Sequence, residues 1–150
     1  MMQPTGISKF ERFFRVVASL DVDKSDIKRY NDFVNGETYD LLVRGEATAK
    51  ANARDIIEPF DLPITKGLQE RIHDYKRINE EIELQPILEY IAARPPLDLT
   101  YGLETEALLP DLVGGISVAL AHSFKIIDPK LQNPQTVHWE RAFRLFDLLL

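Results

Sequence analysis

The chain has 150 residues, 18 Lys and Arg against 24 Asp and Glu, a formal net charge of −6 and no Cys. That length suits one compact domain, or two small units sharing a core, and the lack of Cys removes disulfide frameworks, thiolate zinc sites and Cys nucleophiles. A hydrophobic fraction of 45% excludes a disordered or collagen-like chain, and net acidity weighs against bulk nucleic-acid binding. No uninterrupted apolar run reaches the roughly 18 residues of a membrane span. The N-terminal stretch is broken by Lys9, Glu11, Arg12 and Arg15, unlike a signal peptide, so a soluble cytoplasmic protein is expected.

Apolar residues recur at three and four along most of the chain, which predicts an all-helical protein. A first helix over Ile7–Leu20 gathers Phe10, Phe13, Phe14 and Val17 on one face. Asp23 is placed to cap a long second helix from about Lys24 to Ala53, with Ile27, Tyr30, Val34 and Leu41 as its seam and Phe33, Leu42 and Val43 widening it. Residues 52–57 read as a loop with a short extended piece. Asp61 before Leu62-Pro63 then suggests a cap for a third helix running to about Arg77, with Ile64, Leu68, Ile72 and Tyr75 inward. A fourth helix is expected over Glu80–Ala93, stopped by Pro95-Pro96. A long apolar helix follows between about Leu103 and Ile127, starting near Leu109 or kinking at Pro110. The last helix starts at Val137, with Trp139, Phe143, Phe146 and Leu150 at helical spacing.

The pattern repeats. Leu20-Asp21-Val22-Asp23 aligns with Leu97-Asp98-Leu99-Thr100 at an offset of 77, which also pairs Phe10 with Ile87, Phe13 with Tyr90, Phe14 with Ile91, Leu68 with Leu145 and Ile72 with Leu149. Each half reads short helix, long helix, short helix. Half a chain of this kind cannot bury its own long helix, so residues 1–77 and 78–150 are expected to pack face to face as one compact domain.

This short–long–short order resembles the histone fold. The segment Arg54-Asp55-Ile56-Ile57-Glu58-Pro59-Phe60-Asp61 resembles the histone loop motif in which an Arg and an Asp seven residues on pair across the second loop, with Ile56 where Thr is usual. A guanidinium bracing a loop carboxylate bidentately is physically sound in its own right. The whole chain is also similar to a small prokaryotic family of double histone folds, with shared landmarks at Leu20–Lys24, Asp61–Ile64, Pro95–Leu99 and Asn133–Thr136. The resemblance implies two tandem histone-fold halves packed as an intramolecular pseudodimer, and brings no established activity. The second half departs from the motif: Leu131 stands at the Arg position and His138 at the Asp position, so that loop must be held differently. Gly36, Gly114 and Gly115 lie near the middles of the two long helices and are expected where those helices cross, since a helical Gly costs about 1 kcal/mol unless close approach requires it.

Histone-fold pairs hold DNA by presenting Lys and Arg at loop edges and first helices to phosphates. Residues 1–77 contain 13 basic and 13 acidic groups and residues 78–150 contain 5 and 11, so the whole excess of −6 lies in the second half. The basic residues placed for one-sided DNA association are Lys9, Arg12, Arg15, Lys24, Lys50, Arg94, Lys125 and Lys130; Glu80, Glu81, Glu83 and Glu89 interrupt the middle of any continuous ramp. Arg54 and Asp61 are read as a structural clamp. The competing reading is an acidic protein-interaction or assembly module, with a basic protein partner or self-association. If DNA is bound, the location would be the nucleoid.

Enzyme chemistry finds no support in the sequence. Glu70 and His73 have a Glu-x-x-His spacing, but His122 and His138 lack a matching Glu, so no bundle metal site is complete. His122, inside an apolar run, reads as a core or edge histidine. There is no phosphate-binding Gly-rich loop and no nucleophile elbow. The expectation is a non-enzymatic protein with no metal, cofactor or small-molecule substrate.

Overall fold

The protein was analysed as a computed structural model that describes residues 4–82 and 97–149. Among these, five α-helices dominate, with one pair of very short strands. The expected fourth helix falls almost wholly outside the described residues, as do Arg94, Glu83, Glu89 and the expected pairings of Ile87, Tyr90 and Ile91.

Helix α1 spans Pro4–Ala18 and buries Phe10, Phe13 and Phe14 while Arg12 and Arg15 face solvent. It stops where Ser19 turns left-handed, at φ 54°, and the Leu20 N–H returns to the Phe14 carbonyl. Asp23 then caps a 3₁₀ turn, Lys24–Asp26: its carboxylate accepts from the Ser25 N–H at 2.8 Å, while Asp26 accepts from the Asp23 N–H. Helix α2, Ile27–Ala51, follows directly. Its buried seam holds Tyr30, Phe33, Val34, Leu41 and Leu42, but Val43 is 37% exposed and belongs to the outer face.

Strand β1, Ile56–Ile57, leads into a 3₁₀ turn at Pro59–Asp61 and then α3, Lys66–Ile82. Two expectations change here. Asp61 does not cap α3, because its carboxylate is occupied in the preceding loop; Thr65 does, its hydroxyl accepting from the Leu68 N–H at 3.2 Å. The helix also continues past Arg77 to Ile82, so Glu80 and Glu81 belong to its last turns instead of opening a new helix.

Strand β2, Thr100–Tyr101, pairs parallel with β1, Ile56 opposite Thr100 and Ile57 opposite Tyr101. The Gly102 N–H and the Thr105 hydroxyl both donate to the Ile57 carbonyl and tie β1 to the start of α4. Helix α4, Leu103–Ile127, contains Pro110 at its eighth position instead of beginning there. An interior proline costs about 3 kcal/mol; burial of Leu109 and Leu112 beside it offsets that loss. By length and composition α4 would suit a membrane, with mean hydropathy 1.4, but 72% of that stretch is buried inside the protein. It is the core helix, and α1, α2, α3 and α5 (Thr136–Leu149) all pack on it.

Gly114 and Gly115 serve a close approach, and the helix they admit is α3. A Cβ on Gly114 would lie 2.3–2.4 Å from three atoms of the Tyr75 ring, and one on Gly115 would lie 2.6 Å from Ile72 Cγ1 and 3.0 Å from its backbone nitrogen. Gly36 has no such role: it is exposed, with nothing within 4 Å of an added Cβ. On α2 the glycine that meets a neighbour is Gly45, whose Cβ would come 2.6 Å from Leu62 Cδ2. Contact between the two long helices includes a buried 2.7 Å hydrogen bond between the Tyr30 and Ser117 hydroxyls.

The long helices are 25 residues each and start 76 residues apart, close to the sequence offset. That single offset fails further along. Leu68 and Ile72 are buried, whereas their expected counterparts Leu145 and Leu149 are 36% and 79% exposed. The inward residues of α5 are Trp139, Ala142 and Phe146. Trp139 is fully buried against Phe14 and Phe124, and Phe33 stacks on Phe143 at 4.7 Å, so both halves share one aromatic core.

Candidate functional site

The loops form two edges. At one, β1 meets β2. There Arg54 grips Asp61 bidentately: Nη1 to Oδ2 is 2.7 Å, and Nη2 meets Oδ1. The Asp61 side chain has no exposure, and the Glu58 N–H donates to it as well, at 2.9 Å. The Arg54 hydrogen bonds hold the Asp61 carboxyl below its ordinary range, against the opposing effect of burial. The same guanidinium lies 4.9 Å from the centre of the Phe60 ring.

At the other edge the Asp21 N–H donates to the Gln132 carbonyl at 2.6 Å and Arg29 Nη2 donates to the Thr136 hydroxyl at 2.7 Å. This loop lacks the Arg–Asp clamp and is held by a different set. Lys125 Nζ donates to the Leu131 carbonyl, the Lys130 N–H to Asp128, and the Gln135 N–H to His138 Nδ1 at 2.9 Å. His138, at the position of the clamp Asp, therefore accepts a backbone hydrogen bond at the start of α5.

Several of the basic residues singled out for phosphate contact are engaged by neighbours within the protein. Lys50 is paired with Asp98 at 3.1 Å and Glu46 at 3.7 Å. Lys125 is committed to the Leu131 carbonyl, and Arg15 lies 3.8 Å from Asp21. Lys9 and Arg12 are on α1, and Lys9 has a partner of its own. Lys24 and Lys130 are exposed on the two loops joined by the Asp21–Gln132 bond. Arg94 is outside the described residues.

Two features were not foreseen. The first is an apolar cleft of about 540 Å³ between the N-terminal end of α3 and the C-terminal ends of α4 and α5. Exposed Ile126, Leu145 and Leu149 and buried Leu68 and Ile116 line it, and Arg71 and His122 supply its charged or titratable groups. Ile126 is 78% exposed, and Leu145, Leu148 and Leu149 follow one another at helical spacing on α5. Arg71 is already paired with Asp74 at 2.8 Å and Glu70 at 3.5 Å. Burial, helped by Arg71, pushes the His122 imidazole below its ordinary value, which keeps it neutral near pH 7. The sequence signal was present in the α5 leucines, but the 77-residue offset assigned two of them to the core.

The second is Glu37, a nearly buried carboxyl on α2, pushed up to about 7 by burial and by Asp40 and Asp147. A lone Glu in an apolar seam carries no motif, and sequence reasoning passed over it. Glu70 and His73 are both exposed, with Glu70 turned to Lys66 and Arg71. Among the described residues no group of three His or acidic side chains is placed to hold a metal.

The fold has solved counterparts. A crystal structure from Thermus thermophilus superposes with a TM-score of 0.86 at 51% identity, covering 96% of this chain and 97% of that one. A crystal structure of an Aquifex aeolicus protein gives 0.85 at 27% identity, covering 100% and 99%. An uncharacterised Aquifex aeolicus protein is 30% identical over 125 residues, 83% of this chain and 73% of its own length, and none of these relatives brings an enzymatic family. The model of a domain of unknown function, DUF1931, matches residues 10–147. With nearly its whole length so matched, the chain belongs to the DUF1931 family.

Proposed function

We propose that the protein is a non-enzymatic histone-fold pseudodimer that acts as a protein-assembly module, and that it assembles through a second copy of itself. Two 25-residue helices, the β1–β2 pairing and the Asp21–Gln132 bond are what support the pseudodimer reading, with residues 1–77 and 78–150 as its halves. The observation that carries the assembly reading is the apolar cleft beside exposed Ile126 and Leu149. A ridge and a groove on one face are what an isologous contact needs, because a two-fold axis sets each copy's ridge into the other's groove. The patch offers almost no free charge, since Arg71 is already paired, so a partner selected by opposite charge has little to engage there.

Sedimentation velocity over a range of protein concentrations tests this. The expected result is a concentration-dependent dimer, lost in Ile126→Glu without loss of thermal stability, because that side chain is already exposed. A parent protein that stays monomeric at hundreds of micromolar would end the proposal.

A narrower reading, one-sided DNA association, draws on Lys24 and Lys130, exposed on adjoining loops. A mobility shift at low salt would have to appear, and Lys24→Glu with Lys130→Glu would have to lower its salt slope by about 2. No shift at tens of micromolar protein removes this reading.

A further inference from the structure

A separate cavity, of about 220 Å³, opens where α2 faces the C-terminal end of α5. Glu37 lines it at 8% exposure, and no hydrogen bond or ion pair to it is formed among the described residues. Asp40 lines the same space, and Asp147 adds a third negative charge from α5. Arg44 is the base in the wall, but it forms no ion pair with either acid. The Glu37 oxygens are not sealed off and open onto the cavity, so a cation entering it can reach them, and a carboxyl this far withdrawn from water gains from such a partner.

The chemistry of the walls narrows the occupant. No three acids among the described residues are close enough to coordinate a metal ion directly. Leu41, Pro63 and Leu149 give the cavity an apolar side, suited to a short run of methylenes. Leu149, in the last described turn of α5, lines the cavity, and the C-terminal end of a helix favours positive charge. We propose that this cavity binds an alkylammonium group, its nitrogen at the Glu37 carboxylate and its stem against Leu41, Pro63 and Leu149. Two sources share this chemistry: a free aliphatic amine, or a lysine side chain of another protein. The cavity shares Thr65 and Leu149 with the apolar cleft but not its acids, so a Glu37 substitution tests the amine site while Ile126→Glu tests the dimer.

The test is an amide chemical-shift titration of the full chain with n-butylammonium chloride at pH 8 and pH 5. Saturable shifts confined to residues around 37–44, 63–65 and 147–149 are expected, with affinity at least tenfold weaker at pH 5, where Glu37 holds its proton. Glu37→Gln, checked for an unchanged amide spectrum elsewhere, should weaken binding at least tenfold. A lysine blocked at both backbone ends, run in parallel, separates the sources: tighter binding than butylammonium assigns the pocket to a protein side chain, weaker binding to a free amine. Non-saturable shifts, equal affinity in Glu37→Gln, or tighter binding of calcium than of the amine would overturn the proposal.

Discussion

Replacing glycine by alanine at three helical positions should give three different results, because the space at each differs. At Gly36 an added methyl meets nothing within 4 Å, so only the unfolded chain's lost freedom and the helix preference count. Gly36→Ala should stabilise the protein by about 0.5–1 kcal/mol. At Gly114 the methyl would sit 2.3–2.4 Å from three atoms of a fully buried Tyr75 ring, where carbon atoms need about 3.5–4.0 Å. The ring has to tilt or α3 has to lift by more than 1 Å over a packed face. An approach this short puts the cost at the top of the usual overpacking range, about 3 kcal/mol, against which the helix preference returns about 1, leaving a net loss of about 2 kcal/mol. Gly45→Ala should fall between, since its closest neighbour is the mobile end of the Leu62 side chain. Urea unfolding of the three variants, with m-values compared to show that the unfolded states match, reads these changes directly. For a chain of this length 2 kcal/mol corresponds to a melting point lower by about 4–8 °C. A Gly114→Ala protein as stable as the parent would refute the close approach of α3 to α4. A Gly36→Ala protein markedly less stable would show that something covers that position.

Removing the Arg54 guanidinium leaves the Asp61 carboxylate buried and largely unpaired, so Arg54→Ala should cost about 3 kcal/mol at pH 7 in a denaturant titration. Asp61 ionises more readily in the folded state, so the clamp's stability is complete above the unfolded value near 3.8 and is lost as pH falls through the lowered folded value; the gap between variant and parent should close below about pH 4. Glu37 has the opposite sign. The folded state keeps a proton that the unfolded chain gives up, so stability should fall as pH rises from about 4.5 to about 7, and Glu37→Gln should flatten that fall and gain about 2 kcal/mol at pH 8 while changing little at pH 4. Tyr30→Phe should cost about 1 kcal/mol in the same assay, because Ser117 keeps its bond to the Val113 carbonyl and no donor is stranded.

The legible parts of this fold are those where one periodicity governs. The aromatic stripe of α1 and the seam of α2 could be read because burial there follows the helical repeat over many turns, and α4 because its apolar run is long and unbroken by charge between Asp111 and Lys125. The clamp was legible because Arg54 and Asp61 act through a local seven-residue spacing. What could not be read depends on geometry between distant segments. Gly36 and Gly45 are nine residues apart on one helix, and nothing in the local pattern says which of them meets Leu62. The cap of α3 moved from Asp61 to Thr65 because Asp61 has a stronger claimant in Arg54, a competition visible only once both are placed. The two functional candidates escaped for the same reason: the α5 leucines count as a cleft only beside Ile126, and Glu37 matters only because no base reaches it.

The charge distribution then bears on function differently from its sum. A net −6 concentrated in the second half suggested a balanced first half free to meet phosphate. Yet the ion pairs that settle Lys50, Arg54 and Arg71 are made within the protein, four of them with acids of the first half itself and one reaching Asp98. Each cation so paired leaves the set able to release counterions on binding DNA, and affinity for a polyanion falls with every one removed. The apolar cleft loses nothing to this pairing, since burial of hydrocarbon needs no free charge. Lys50, Arg54 and Arg71 engaged within the protein, with Ile126 and Leu149 left outside, are what support the proposed protein contact over the DNA reading, which keeps Lys24 and Lys130.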